Sequence, residues 1–118
     1  MSVIPITDRT KQFALRVIKA CVFLNEKTRV ARTLSNQLLR SATSIGANVR
    51  ESRAAQSDRD FLSKMEIALK EARETEYWLE ILIESGTVTE EKFGSLLQEA
   101  NEISKILTAS TRKLKEKS

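Results

Sequence analysis

The chain has 118 residues, of which 31% are charged and 41% hydrophobic, and its formal net charge is +4. That length suits one domain spanning 1–118, able to bury a core without disulfides or metal; three glycines and one proline leave little punctuation for hairpins. Histidine is absent, which removes the commonest general base, the commonest metal ligand and the Glu-x-x-His pairs of carboxylate-bridged iron bundles.

The opening Met-Ser-Val-Ile-Pro-Ile has no basic stretch leading into a hydrophobic region, so no signal peptide is expected. A first helix is predicted over about 8–24, capped by Thr7 or Asp8 and preceded by Pro5, with Phe13, Val17, Ala20, Cys21 and Leu24 as its apolar stripe. Cys21 is the single cysteine; among these neighbours it reads as a buried thiol, and an unpaired cysteine fits a reducing cytoplasm. The longest apolar run, Ala20 to Leu24, falls far short of the roughly 20 residues of a membrane span.

After the polar turn Asn25–Thr28, a second helix is predicted over about 30–55. Leu34, Leu38, Ser41/Ala42, Ile45 and Val49 recur at spacings of three and four. Its middle, Ser41-Ala-Thr-Ser-Ile-Gly-Ala47, is rich in small side chains, which predicts a tight helix crossing. Ser57-Asp-Arg-Asp60 is a start signal for a third helix over 58–84. Phe61, Met65, Ala68, Ala72, Thr75, Leu79 and Leu82 give it a bundle-type seam, and Ser85-Gly86 stops it. Thr89 opens a fourth helix over about 90–113, striped by Phe93, Leu96/Leu97, Ala100, Ile103, Leu107 and Leu114; the charged tail from Arg112 is expected to fray. Short connections predict an all-α, antiparallel up-down-up-down four-helix bundle.

The third helix carries more apolar surface than one seam needs. Ile67, Glu71, Glu74, Trp78 and Ile81 form a second stripe roughly 100° from the first. A central helix that buries more of itself is one explanation. A contact between protomers, anchored by Trp78 and flanked by Ile67 and Ile81, is the other, and it predicts a homo-oligomer.

Charge is distributed unevenly. Residues 1–56 hold ten basic and three acidic side chains, a net of +7, whereas residues 57–84 hold four basic and eight acidic, a net of −4. Arg29, Arg32, Arg40 and Arg50 project within roughly 80° of one another, opposite the apolar stripe of the second helix. Arg9, Arg16 and Lys19 line one side of the first. Guanidinium groups in a row match a phosphate backbone; the same row also suits plain solvation, or pairing with the acidic third helix of a neighbouring subunit. Phe13 and Phe23 are the only aromatics in this half, and Phe13 lies on the core stripe. Little is left for stacking on bases, so any binding is expected to ignore sequence.

The segments Arg40-Ser-Ala-Thr-Ser-Ile-Gly-Ala-Asn-Val-Arg-Glu51 and Phe61-Leu-Ser-Lys-Met-Glu-Ile-Ala-Leu-Lys-Glu-Ala-Arg-Glu-Thr-Glu-Tyr-Trp-Leu79 resemble the 23S ribosomal RNA intervening-sequence proteins. The accessory variability determinant proteins of diversity-generating retroelements are related to that family. The resemblance covers nearly the whole chain and implies a bacterial four-helix bundle assembled as a homopentameric barrel. The retroelement relatives bind nucleic acid and a reverse transcriptase through basic surface. No catalytic residue or cofactor is implied.

The reading expected from the sequence is therefore a non-enzymatic, homo-oligomeric nucleic-acid-binding module, with a protein-interaction scaffold as the alternative. A more remote alternative rests on Glu71-x-x-Glu74 and Glu99-x-x-Glu102, which mimic the acidic pairs that hold magnesium in all-helical nucleotide pyrophosphohydrolases.

Overall fold

The computed structural model describes residues 4–117, and among these it is all-helical, with no strand. The helices are α1 (Ile6–Asn25), α2 (Arg29–Ser52), α3 (Asp58–Glu84) and α4 (Glu90–Lys117). The molecule measures 47 × 29 × 21 Å. A helix of the length of α4 spans about 42 Å and is about 10 Å across, so these dimensions suit four helices lying side by side, two by two. Neighbouring helices in the chain pack extensively, and α1 against α4 is the loosest seam.

Local chemistry sets the helix ends, some of which differ from the expected ones. α1 starts at Ile6, ahead of the expected Asp8, because Pro5 itself occupies the cap position with φ −55° and its carbonyl accepts from the Arg9 N–H at 2.9 Å. Pro5 offers no capping side chain, and neither Thr7 nor Asp8, which lie inside the first turn, takes that role. α2 is capped by Thr28, whose hydroxyl accepts from the Ala31 N–H at 3.1 Å. It ends at Ser52, short of Ala55, as the N–H groups of Arg53, Ala54 and Ala55 turn to carbonyls three residues back. That tightening is the usual way a last turn satisfies its carbonyls.

Ser57 caps α3, accepting from the Asp60 N–H at 3.0 Å, while the Asp60 carboxylate reaches back to the Gln56 N–H at 3.3 Å. Gly86, at φ +78°, breaks α3 in the left-handed conformation, and the Val88 N–H closes onto the Leu82 carbonyl at 3.1 Å. α4 runs to Lys117 and not to 113. Its last turns are anchored by buried Thr111 and by Lys115, whose ammonium lies 3.0 Å from Glu66 of α3.

The core runs through all four helices. Phe13, Val17 and Leu24 of α1 join Leu38, Ile45 and Val49 of α2, Leu79 and Leu82 of α3, and Phe93, Ile103 and Leu107 of α4, all fully or almost fully buried. Each such side chain contributes roughly 1.5–3 kcal/mol by leaving water. The small-residue stretch of α2 serves two crossings. Gly46 lies against Thr10 of α1, where a Cβ would sit 3.3 Å from the Thr10 hydroxyl oxygen. Ser41 meets Thr75 of α3, their hydroxyls 2.9 Å apart. No described buried side-chain polar atom lacks a hydrogen-bond partner, as a well-formed interior requires. No helix among the described residues is long and apolar enough to cross a membrane.

Candidate nucleic-acid interface

The seven basic residues singled out from the sequence do not share one environment. Arg9 is drawn into the α1–α4 seam, where its Nε and a terminal nitrogen donate to the two carboxylate oxygens of Glu99 at 2.7 and 2.8 Å. This paired, two-point geometry is among the stronger charged contacts available to a protein. Its donation holds the Glu99 carboxyl below the ordinary glutamate range despite partial burial, and the charge of Arg9, then that of Arg16, add to the effect. Arg16 donates to the Ser95 hydroxyl at 3.0 Å. Lys19 is exposed beside the same seam, at a groove that also takes in Lys92 and Phe23.

Arg40 is matched within the chain as well. Its guanidinium lies 3.4 Å from Glu71 and in close contact with Glu74, both on α3, and it reaches Gln37 of its own helix at 3.2 Å. Glu74 in turn accepts from the Trp78 indole N–H at 3.0 Å. The stripe Glu71–Glu74–Trp78 therefore serves, in part, to seat α3 against α2. This leaves Arg29, Arg32 and Arg50, which are exposed and make no side-chain hydrogen bond or ion pair among the described residues. Gly46 marks the side of α2 that meets α1, and Arg32 and Arg50 project roughly 40° from it, toward the outer α1–α2 surface.

The aromatic inventory of this surface is short. Phe13 is buried. Phe23 is half-buried, with the Lys92 ammonium 3.4 Å and the Lys27 ammonium 4.4 Å from its ring centre, so its face is engaged by cations. The arrangement can take up anionic charge along a path; it offers no free ring on which a base would stack.

The apolar residues tell a second story. On α3, Ile67 is 40% exposed, whereas Trp78 and Ile81 are half-buried and Trp78 packs against the core. Tyr77, edge-on to Trp78, is more exposed than any of them at 55%. The broadest unpartnered apolar row lies elsewhere, on α1: Leu15, Ile18 and Val22 are 53%, 41% and 57% exposed. Their spacings of three and four repeat those of the core stripe on the opposite side of the helix.

The acidic pairs that suggested a magnesium site face different neighbours. Glu71 and Glu74 converge on Arg40 of α2, while Glu99 binds Arg9 of α1 and Glu102 lies 3.9 Å from Lys105 of its own helix. No cluster of three or more His, Cys, Asp or Glu side chains placed to hold a metal occurs among the described residues. The arrangement that those enzymes use, carboxylates from two helices aimed into one cavity, is not built by these four residues.

A family model described as "23S rRNA-intervening sequence protein" matches residues 4–109. Among solved structures, a protein of unknown function from the S23 ribosomal protein family of Bacteroides thetaiotaomicron is 43% identical. The match covers 91% of this chain and 98% of that one, with a TM-score of 0.82. No curated protein matches the chain.

Proposed function

Since the chain belongs to the family of 23S rRNA-intervening sequence proteins, which is not a known enzyme family, we propose that it is a non-enzymatic, sequence-nonspecific RNA- or DNA-binding module. The carrying observation is the set of exposed guanidiniums at Arg29, Arg32 and Arg50, which find no carboxylate although the chain holds 16. Arg9 and Arg40 do find carboxylates. Exposed arginines in a row supply the forked donors that phosphate oxygens accept, Arg16 and Lys19 add positive charge on the α4 side of α1, and the family's name associates it with an RNA.

The reading takes the whole chain as one cytoplasmic domain with up-down-up-down topology. Supporting that order, early α1 meets late α2 at Thr10 and Gly46, early α3 meets late α4 at Glu66 and Lys115, and α1 runs against α4, with Arg9 at Glu99 and Arg16 at Ser95. It also takes the protein as a homo-oligomer, with the pentamer implied by the family resemblance as its expected size. The α1 row Leu15, Ile18 and Val22 is interspersed with the cations Lys11 and Lys19. The α3 row Ile67, Tyr77 and Trp78 is fringed by Glu80, while the nearby Glu66 and Glu74 are already paired with Lys115 and Arg40. Two apolar rows of opposite fringe charge suit a head-to-tail contact between copies, the kind that closes into a ring.

Charge reversal tests the interface. Arg29, Arg32 and Arg50 changed together to Glu should leave helical content unchanged and abolish binding of a generic single-stranded RNA in a fluorescence-anisotropy titration. A folded variant that binds like the parent would remove this surface from the account. A protein-interaction scaffold would then be the better description.

A further inference from the structure

On the side of the bundle formed by α3 and α4, an open groove of about 430 Å³ is lined by Arg73, Glu76, Ser104, Lys105, Thr108 and Arg112. A second cavity of about 420 Å³ shares Arg73, Thr108 and Arg112 with it and continues to Lys115 and Glu116, so the two form one trough along the helices. Three cations face one carboxylate across the first part of the trough. That carboxylate, Glu76, is in close hydrogen-bond contact with the Ser104 hydroxyl. Arg73 donates only to the Thr108 hydroxyl, at 3.4 Å, and Arg112 makes no side-chain hydrogen bond or ion pair among the described residues. Lys105 has Glu102 at 3.9 Å, a loose pair between well-exposed side chains. Further along, Lys115 is held by Glu66.

We infer that this trough is a second phosphodiester-binding surface, opposite the α1–α2 face, which makes each protomer able to contact nucleic acid on two sides. The inference rests on the proposed nucleic-acid function. The shape favours a polymer over a small phosphate ligand: the trough is open to solvent along its length. Lys105 and Arg112, two turns apart on α4, are separated by about 10 Å along the helix axis, so they do not converge on one point. Arg73 stands across from them on α3. Each guanidinium carries five donors, and Arg73 keeps most of its own to offer after one is spent on Thr108. The sequence disguised the feature because α3 as a segment is net acidic. Its carboxylates Glu71 and Glu74 turn toward α2, whereas Glu66 and Glu76 are taken up by Lys115 and Ser104 of α4, and Arg73 stands among them with only Thr108 as partner.

Arg73→Ala with Arg112→Ala, made in the full chain and checked for unchanged circular dichroism, tests the inference beside an Arg29→Ala, Arg32→Ala, Arg50→Ala variant. Binding of single-stranded RNA is followed across a salt series. The trough variant should bind at least about fivefold more weakly at low salt, and its log–log salt slope should shrink by about 1.4, two contacts' worth for single strands. A trough variant that matches the parent, while the α1–α2 variant loses affinity, overturns the second surface and leaves the first. Loss of poly-glutamate binding in the trough variant with RNA binding untouched would also overturn it, assigning the trough to acidic peptides. A parent that binds no RNA at low salt overturns both.

Discussion

Gly46 gives the sharpest test of how the helices meet. A glycine inside a helix costs about 1 kcal/mol relative to alanine, so Gly46→Ala should stabilise an isolated α2 by that amount. In the folded chain the new methyl would lie 3.3 Å from the Thr10 Oγ1 and 3.5 Å from the Thr10 carbonyl carbon and Cβ. The last two are ordinary contacts; the first is tight. The Thr10 hydroxyl cannot swing away freely, because it is fully buried and donates to the Ile6 carbonyl at 2.8 Å. Accommodating the methyl should cost about 1 kcal/mol, the low end for an added core methyl because only one contact is tight, so the net change is expected within about 0.5 kcal/mol of zero. Removing the obstructing oxygen should release the gain. In a Thr10→Ala background the same Gly46→Ala change should stabilise by close to 1 kcal/mol, a coupling of about 0.5–1 kcal/mol between the sites. Urea unfolding followed at 222 nm, at one fixed protomer concentration, reads all four corners of the cycle. If Gly46→Ala stabilises equally in both backgrounds, α1 does not approach α2 closely at this point, and the packing described for the small-residue stretch is wrong.

Glu99 carries the clearest pH dependence. Its folded-state pKa is depressed, chiefly by the hydrogen bonds from Arg9. The contribution is therefore fully present above the unfolded glutamate value of about 4.3 and is lost as pH falls through the lower folded value. Glu99→Gln should cost about 1 kcal/mol at pH 6 and progressively less below pH 4; a cost that stays constant down to pH 2 would contradict the pairing. Cys21 is buried, and burial pushes its thiol pKa up against the opposing contact with Ser35. Ellman's reagent at pH 8 should therefore react only on unfolding, and prompt reaction in buffer would show the site to be open. For assembly, Trp78→Ala and, separately, Ile18→Glu should each lower the mass measured by light scattering. Parent-like mass in both would refute the head-to-tail contact.

Much of the fold was legible because its signals are local. The seam of α3, the Ser57 cap and the Gly86 stop each lie within a few residues of the backbone they control. Pro5 was read as flanking α1 when it caps it, a matter of where the first helical φ is set. The surface was harder to read. Arg9 and Glu99 are 90 residues apart in the chain, and Arg40 and Glu71 are 31 apart. Only the way the helices face one another makes those pairs. Arg9 and Arg40 consequently looked the same as Arg32 and Arg50 in sequence. The outward row on α1 was readable from its spacing. Its exposure was not, because helical periodicity alone does not say which of two apolar arcs finds a neighbour.

The central claim is that exposed cations on the α1–α2 face hold a phosphate backbone. Affinity of the parent protein for a generic single-stranded RNA, measured by fluorescence anisotropy from low to moderate salt, tests it most directly. Three phosphate contacts by Arg29, Arg32 and Arg50 contribute about −2 to the slope of log affinity against log salt, and contacts in the α3–α4 trough steepen it further. No binding at low salt, or an affinity that hardly changes across the series, would contradict the claim.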